Sequence, residues 1–323
     1  MLIFFLVLFI SLCFLLNIDI IFLSKKHKGG QMNLDNIVIN WHITQRCNFA
    51  CKHCFVAEHK KCDSAVIANS LPQSKKLLQR IYRAFSQRYS SIRLNLAGGE
   101  PLLVSNLDIL IKEAKSIGFD ISIISNASLL AGLDDSIAFD YQRWIEQNAG
   151  YLSWFGMSID SLNEATNIKI GRCLRTQNVL KESDIFTIAH LLREQNKKLK
   201  LKINTVVTAH NYDEYLGDFI RFVQPNKWKI LQALSIDTPK VFCDDKQFKV
   251  FLDRHKGFKN VVVESKNQMI NSYIMIDSFG RFYQNANLCY SYSPCVLEMS
   301  SDEILHYACF DKNKFQSRYK IDA

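Results

Sequence analysis

The stretch NWHITQRCNFACKHCF, residues 40–55, places three cysteines directly after an apolar run. Cys47, Cys51 and Cys54 are spaced C-x3-C-x2-C, and residues 37–43 before them have the apolar character of a buried β-strand. Three thiolates this close together suit either a zinc ion or an iron–sulfur cluster. Which of these sites the chain builds depends on the remaining ligands.

A fourth ligand distinguishes a zinc site from a cluster held by three cysteines. His53 and Cys62 are candidates for completing a zinc site, but His53 lies between two of the cysteines, where it is hard to aim at the same ion. A [4Fe–4S] cluster bound by three cysteines keeps one iron open, as catalytic metals do. The other cysteines are irregularly spaced, which favours a reduced protein, and Cys289 and Cys295 lack the further ligands of a second cluster.

Apolar runs alternate with helical patterns from residue 36 onward, which predicts an α/β fold with a parallel sheet or partial barrel and its helices outside. Strands are predicted at 36–43, 92–98, 120–126, 152–160, 199–207 and 228–234, and helices at 72–88, 105–117, 136–148, 177–196 and 211–222. A further helix is expected at 248–257, and a hairpin at 273–284 that turns at 278–280. Ligands of such folds collect at the carboxyl ends of the strands.

The first 23 residues form an apolar run of about transmembrane length, followed at once by SKKHK. Positive charge on the C-terminal side of the run predicts a single anchor that leaves the rest of the chain at the cytoplasmic face of a membrane. Asp19 leaves a shallower, interfacial helix open. The formal charge of +9 favours acidic partners, namely phosphates, nucleic acid or anionic lipid.

A second motif, Gly98-Gly99-Glu100-Pro101, follows the second predicted strand. Together with the cysteines and Phe55, it resembles the signature of radical S-adenosylmethionine (SAM) enzymes. The resemblance implies a partial (β/α)6 radical SAM barrel with a [4Fe–4S] cluster on the three cysteines and SAM on the open iron. Cleavage of SAM would then give a 5′-deoxyadenosyl radical. The residues implied to contact SAM are Gly98, Gly99, Glu100, Ser125, Asn126, Ser158 and Arg172, with Arg172 also near the substrate.

Within that superfamily the chain resembles the viperin family of nucleotide dehydratases, particularly its prokaryotic members. The similar stretches are 40–55, 93–103, 122–130, 158–172, 201–207, 226–234 and 264–277. This resemblance implies dehydration of a ribonucleoside triphosphate (CTP, UTP or GTP) to a 3′-deoxy-3′,4′-didehydro nucleotide. Such a product terminates the chains of viral polymerases, so the implied role is antiviral defence.

A triphosphate carries about four negative charges and needs several converging cations. Lys202, Lys227 and Lys229 lie on predicted strands, and by resemblance they hold phosphates, with Arg93 a further candidate. Asn40 and Asn204 are implied to hydrogen-bond the nucleotide. Tyr273 matches the tyrosine that supplies hydrogen to the substrate radical in this family, after hydrogen loss from C4′ and hydroxyl loss from C3′. A phenol is a suitable donor because it carries a polar group within an apolar site.

The predicted organisation has four parts. They are an N-terminal apolar helix (1–23), a linker (24–35), the barrel (36–240) and a C-terminal extension that completes the substrate pocket (241–323). The chain ends without the glycine-rich tail of animal viperins, so Arg318 and Lys320 are candidates for the phosphate contacts that this tail makes. A one-electron reductant such as flavodoxin or ferredoxin is an expected partner, and nucleic acid is not.

Two alternatives of different classes stay open from the sequence. One is a radical SAM enzyme of cofactor biosynthesis or peptide modification, for which an auxiliary set of cysteines would be expected. The other is a non-catalytic iron–sulfur or zinc protein that binds nucleic acid through its positive charge. The glycine-rich motif after the second strand argues against the second alternative, because a nucleic-acid binder needs no SAM site.

Overall fold

A computed structural model describes residues 36–54, 66–234, 242–286 and 289–319 of the chain. The predicted N-terminal helix (1–23), the linker (24–35), Cys62 and Lys320 lie outside the described residues. The predicted boundary between barrel and extension, at residue 240, also falls outside them. Within the described residues, no helix is long and apolar enough to cross a membrane.

The described strands form one sheet in the order β10-β9-β8-β1-β2-β3-β4-β5-β6-β7. They are β1 (Asn36–Thr44), β2 (Ser91–Gly98), β3 (Asp120–Ser125), β4 (Leu152–Ser158), β5 (Lys200–Val207), β6 (Lys227–Gln232), β7 (Val261–Glu264), β8 (Ile274–Ile276), β9 (Arg281–Ala286) and β10 (Cys289–Cys295). Neighbours from β1 to β7 are parallel, and so are β8 and β1. The last three strands are antiparallel to one another.

The α-helices of the described residues connect or follow these strands. They are α1 (Leu71–Phe85), α2 (Leu107–Ile117), α3 (Tyr141–Asn148), α4 (Glu164–Ile170), α5 (Glu182–Gln195), α6 (Gly217–Val223), α7 (Asp245–Arg254), α8 (Lys266–Met269), α9 (Ser301–Tyr307) and α10 (Lys312–Tyr319). The predicted α/β fold with a parallel sheet is confirmed, and each of the six predicted strands ends within two residues of its observed limits. The hairpin is also present, with Gly280 at φ +74° in its turn.

Several elements were not expected from the sequence, among them α4, β7, β10 and the helices α8, α9 and α10. The helix α4 is seven residues long, and the side chain of its N-cap residue Asn163 accepts a hydrogen bond from the Thr166 amide. The strands β7 and β10 are missed because the first has only four residues and the second pairs solely with its hairpin neighbour. As a result, residues after 241 extend the sheet at both edges, with β7 beside β6 and β8 beside β1.

Side chains alternate between the two faces of each strand, and this alternation creates the cavity. On β5, Leu201 and Ile203 are completely buried on the face opposite the cavity, whereas Lys202, Asn204 and Val206 line the cavity. The same alternation holds on β6, where Trp228 and Ile230 belong to the apolar core and Lys227, Lys229 and Leu231 line the cavity. The alternation therefore brings Lys202, Asn204, Lys227 and Lys229 to the same cavity.

Candidate active site

A cavity of about 410 Å³ lies on the inner face of the sheet. The residues that line it include every predicted site residue except Glu100. They are Cys47, Cys51, Cys54, Gly98, Gly99, Ser125, Asn126, Ser158, Arg172, Asn40, Arg93, Lys202, Asn204, Lys227, Lys229 and Tyr273. The three cysteines lie after the carboxyl end of β1, and the cations come from positions nearer the amino ends of β2, β5 and β6.

The backbone at the end of β2, at Gly98 and Gly99, is in close contact with the cysteine loop. The Gly99 amide donates to the Thr44 carbonyl at 2.7 Å, and the Glu100 amide donates to the Arg46 carbonyl at 2.8 Å. A Cβ on Gly99 would lie 2.0 Å from the Arg46 oxygen, and one on Gly98, at φ +140°, would lie 2.4 Å from the Thr44 oxygen. Glycine is therefore required here by the packing of the loop, a reason additional to the predicted approach to SAM.

Glu100 is fully buried and does not line the cavity. One carboxylate oxygen accepts hydrogen bonds from the Leu102 amide at 3.1 Å and the Ser125 hydroxyl at 2.8 Å, and the other accepts from the Asn126 amide at 2.7 Å. Burial raises the pKa of this carboxyl, although the three hydrogen bonds oppose the shift. In this arrangement Glu100 ties the end of β2 to the end of β3, and its direct contact with SAM stays a prediction.

Two residues donate hydrogen bonds to the cysteine sulfurs. The Asn126 amide nitrogen lies 3.7 Å from the Cys47 sulfur, and an Arg172 guanidinium nitrogen lies 3.4 Å from the Cys51 sulfur. The loop itself is fastened by the Lys52 amide, which donates to the Ile170 carbonyl at 2.9 Å. Hydrogen bonds and positive charge beside thiolates are the features by which proteins adjust an iron–sulfur cluster.

Asp160 follows β4 and has no predicted role, and it joins Arg172 to His53. Its carboxylate lies 3.5 Å from the Arg172 guanidinium and 3.2 Å from His53 Nε2. Burial alone would raise the pKa of Asp160, but Arg172 and His53 outweigh it and hold the pKa below its usual range. His53 therefore pairs with Asp160, which argues against the alternative in which it completes a zinc site.

The described residues fit an iron–sulfur cluster better than a single metal ion. No three His, Cys, Asp or Glu side chains among the described residues are arranged to hold one ion. A cluster has no such requirement, since each cysteine binds a different iron. Burial is the main cause that raises the pKa of Cys47 to about 11 and that of Cys51 to about 12. Thiols in this environment need metal coordination to be held as thiolates.

At the other end of the cavity, cations gather around Trp154. Lys202 lies directly opposite Lys227 in the pairing of β5 with β6. Arg93 and Lys227 each lie 5.4 Å from the centre of the Trp154 ring. Gly156 leaves the space for Lys202, since a Cβ there would come within 2.8 Å of the lysine Cε.

Burial and mutual repulsion lower the proton affinity of these cations. Burial, followed by repulsion from Lys229 and Arg93, lowers the pKa of Lys202 to about 7. Burial, followed by repulsion from Lys202 and Lys229, lowers the pKa of Lys227 to about 6. The pKa of Arg93 is lowered by burial as well. A polyanion in the cavity would offset the cost of burying these charges and would reduce the repulsion between them.

Tyr273 lies in a buried group with three charged residues. Its hydroxyl donates to Glu264 and accepts a hydrogen bond from Lys229 at 2.5 Å. Glu264 also forms ion pairs with Lys229 at 2.7 Å and with Arg318 of α10 at 2.6 Å. The Arg318 guanidinium lies 3.7 Å from the centre of the Tyr273 ring. Burial is the main cause that raises the pKa of Tyr273 well above its ordinary value, and Glu264 adds to it.

The asparagines of the cavity differ in how far they are already engaged. Asn40 donates to the Ile274 carbonyl at 3.1 Å and accepts from Asn95 at 2.7 Å. Asn204 and Asn285, by contrast, each have a buried side-chain oxygen without a hydrogen-bond partner. A buried amide oxygen with no partner is costly, so these two oxygens are the better candidates for bonds to a ligand.

Sequence reasoning missed Glu264 and Trp154 and left Arg318 as a candidate phosphate contact. Trp154 follows the same alternation as the lysines, so its position on β4 was a usable signal. Glu264 ends a four-residue strand that was not predicted, and nothing local indicates its burial. The Arg318 guanidinium donates to Glu264 and to Ser272 as well as lining the cavity, which its exposed-looking helix does not suggest.

Comparison with known proteins gives an independent assignment of the fold and the family. Residues 41–223 match the model of the radical SAM superfamily. An S-adenosylmethionine-dependent nucleotide dehydratase of Psychrobacter lutiphocae is 35% identical over 303 residues, 91% of this chain and 98% of that protein. One of the same name from Pseudoalteromonas ulvae is 32% identical, with 89% of this chain and 94% of that protein covered.

A solved structure, native anSMEcpe with bound AdoMet, superimposes with a TM-score of 0.59 at 14% identity, covering 88% of this chain and 83% of that one. At that identity the likeness supports the fold alone, whereas the relatives above are similar along nearly their whole length. The resemblance to viperin-type enzymes in the sequence is thereby confirmed. The chain therefore belongs to the radical SAM superfamily and, within it, to the S-adenosylmethionine-dependent nucleotide dehydratases, whose cofactors are a [4Fe–4S] cluster and SAM.

Proposed function

We propose that this protein removes water from a ribonucleoside triphosphate and forms the 3′-deoxy-3′,4′-didehydro nucleotide. The observation that carries the proposal is the convergence of Arg93, Lys202 and Lys227 on the cavity whose opposite end carries the three cysteines. These converging cations repel one another, as the lowered pKa values of Lys202 and Lys227 indicate, and a triphosphate would offset this repulsion with about four negative charges. A peptide substrate would offer no comparable charge.

The proposed binding mode divides the cavity between cofactor and substrate. Cys47, Cys51 and Cys54 hold the cluster. Glu100 fixes Ser125 and the Asn126 amide by hydrogen bonds. The residues that surround SAM are Gly98, Gly99, Ser125, Asn126, Ser158 and Arg172. When bound, the cluster and SAM supply the 5′-deoxyadenosyl radical that takes a hydrogen atom from the substrate. Arg93, Lys202 and Lys227 bind the triphosphate, and Asn204 accepts a hydrogen bond from the nucleoside.

The protein's own residues direct the remaining chemistry. With the triphosphate fixed at the cationic end, the ribose is held between the phosphates and the cysteine end, where the hydrogen of C4′ is taken. Burial of the cavity excludes water from the substrate radical. Tyr273 supplies an electron and a proton after loss of the C3′ hydroxyl. The electron closes the C3′=C4′ double bond, and the phenol proton joins the leaving hydroxide to give water.

The setting of the reaction is part of the same proposal. Viperin-type products terminate polymerase chains, which supports a role in antiviral defence. A one-electron reductant of the flavodoxin or ferredoxin type provides the electrons. The apolar run at residues 1–23, followed by lysines, supports a single anchor that holds the enzyme at the cytoplasmic face of a membrane.

The experiment is anaerobic reconstitution of the full chain, followed by reaction with SAM, dithionite and CTP, UTP, GTP or ATP in separate samples. Mass spectrometry should find one nucleotide converted to a product lighter by one water, with 5′-deoxyadenosine formed alongside. SAM cleavage without any dehydrated nucleotide would refute the proposal and favour another radical SAM reaction. Failure to assemble a cluster would remove its basis.

A further inference from the structure

Glu264 is a buried carboxylate to which the proposed reaction gives no role. Its side chain is 2% exposed, and it lies in contact with Lys229, at 12% exposure, and Arg318, at 3%. Burying an ion pair rarely adds stability compared with apolar packing, so such groups call for another explanation. The feature that distinguishes this cluster is its fourth member, the Tyr273 hydroxyl, which donates to Glu264.

The contacts of the cluster leave Tyr273 few ways to move. Lys229 donates to the phenol oxygen at 2.5 Å, while its ammonium also pairs with Glu264 at 2.7 Å. Arg318 covers the ring face at 3.7 Å and reaches the same carboxylate at 2.6 Å. Both cations are thus held against Tyr273 through one anion.

These contacts also divide the cations of the cavity into two sets. Lys229 and Arg318 are engaged with Glu264, whereas Arg93 and Lys227 lie around the Trp154 ring and Lys202 lies opposite Lys227. Lys229 was expected to bind phosphate on account of its strand position alone. Its observed partners indicate a different role.

We propose that Glu264 is the positioning residue of Tyr273. It fixes the phenol at the cavity wall and keeps Lys229 against the phenol oxygen. Lys229 therefore contacts the tyrosine rather than the triphosphate. This inference rests on the proposed function, in which Tyr273 supplies an electron and a proton. Glu264 does not touch the substrate and acts through Tyr273 and Lys229.

The chemistry of the step balances with these residues. The C3′ hydroxyl leaves with the electron pair of its C–O bond, Tyr273 gives one electron to the substrate so that the C3′=C4′ double bond forms, the phenol O–H bond breaks and its proton joins the leaving hydroxide to give water, and one unpaired electron is left on the Tyr273 oxygen. A one-electron reductant of the flavin or iron–sulfur class then reduces this oxygen to phenolate. Lys229 gives the phenolate a proton and becomes a neutral amine, which regains its proton from solvent. The proton moves downhill, because the pKa of Lys229 is lowered by burial to about 8 and that of Tyr273 is raised.

The test compares Glu264→Gln with the wild-type full chain, after cluster reconstitution. The measured quantity is the ratio of dehydrated nucleotide to 5′-deoxyadenosine, which reports how often a SAM cleavage ends in product. We expect this ratio to fall at least tenfold while KM for the nucleotide stays the same or falls, because the freed Lys229 and Arg318 add positive charge to the cavity. Glu214→Gln, a part-buried carboxylate bonded to Ser161 and remote from Tyr273, should leave the ratio unchanged.

A double-mutant cycle with Tyr273→Phe separates positioning from a general structural role. If Glu264 acts through the tyrosine, Glu264→Gln does not change the ratio of dehydrated nucleotide to 5′-deoxyadenosine any further in the Tyr273→Phe variant. An unchanged ratio in the single variant, a raised KM with an unchanged ratio, or additive losses in the cycle would each overturn the inference. If Glu264→Gln does not fold, Glu264→Asp, which keeps the charge at a shorter reach, is judged by the same outcomes. A wild-type enzyme that dehydrates no nucleotide would instead overturn the proposed function itself.

Discussion

Binding of a nucleoside triphosphate should draw protons into the protein. The pKa of Lys202 is about 7 and that of Lys227 about 6, because both are buried among other cations. At pH 8 the first is therefore only about 10% protonated and the second about 1%. A polyanion beside them favours the charged form and returns both pKa values towards the ordinary ~10.4. The expected uptake is thus about two protons for each nucleotide bound at pH 8.

Isothermal titration calorimetry measures this uptake directly. The nucleotide is titrated into cluster-loaded protein in several buffers of different ionisation enthalpy, and the slope of observed heat against that enthalpy gives the number of protons. Uptake should fall to below about one proton at pH 6, where Lys202 is already mostly charged. Working at pH 8 avoids a contribution from the terminal phosphate.

Substitution of each lysine shows which side chain takes up each proton. Lys202→Met and Lys227→Met should each remove about one proton at pH 8 and weaken binding about tenfold or more. Lys249→Met, on the exposed helix α7 with a side chain 72% exposed, is the matched control and should change neither quantity. Tight binding with no proton uptake at pH 8 would show that the triphosphate does not meet these lysines, and the assignment of the cationic end would be wrong.

Three further predictions follow from the same contacts. Gly99→Ala forces the Arg46 carbonyl aside and should abolish cluster assembly, measured as iron and sulfide content, whereas Gly150→Ala, which has nothing within 4 Å of its new Cβ, should keep the cluster. Arg172→Met removes a charged hydrogen bond to Cys51 and should make the cluster potential more negative by on the order of 60 mV in a redox titration followed by electron paramagnetic resonance. The exposed Arg175→Met should leave it unchanged. The ligand-free protein should gain on the order of 4 kcal/mol of stability between pH 6 and 8 in urea titrations, because the unfolded chain there binds lysine protons that the folded chain lacks; bound triphosphate should cancel the gain.

The architecture and the cofactor end of the site were predictable from the sequence because their signals are local. The apolar period of each strand identified the sheet, and the C-x3-C-x2-C and GGEP motifs lie directly after two strands. Parallel strands bring their carboxyl ends together, so the placement of Cys47 beside Gly99 followed from topology. The lysines were recognised for the same reason, since Lys202 and Lys227 stand out in apolar strands.

The Tyr273 cluster was not predictable because it depends on contacts between distant parts of the chain. Glu264 and Arg318 are 54 residues apart; the first ends the four-residue strand VVVE and the second lies in the short polar helix KNKFQSRY. Glu100 shows a different limitation of sequence-based prediction. Its motif was recognised, but its contacts with Ser125 and Asn126 depend on how β2 and β3 end. A motif identifies a residue, while the direction of its side chain depends on tertiary packing.

The geometry of one strand explains why the two ends of the cavity suit the same substrate. On β2, Arg93 and Gly98 are five residues apart, which corresponds to about 16 Å at the ~3.3 Å rise of a strand. Phosphates held at the level of Arg93 would therefore leave space for a nucleoside between them and the cysteine loop. Tyr273 directly precedes β8, and the register of β8 with β1 places it beside Val38. Val38 pairs with Arg93 on β2, so the Tyr273 side chain starts at the end of the cavity where the phosphates would bind. A phenol at that depth would reach the ribose from the phosphate end, whereas hydrogen would be taken from C4′ at the cysteine end, so the two steps would not compete for one approach to the sugar.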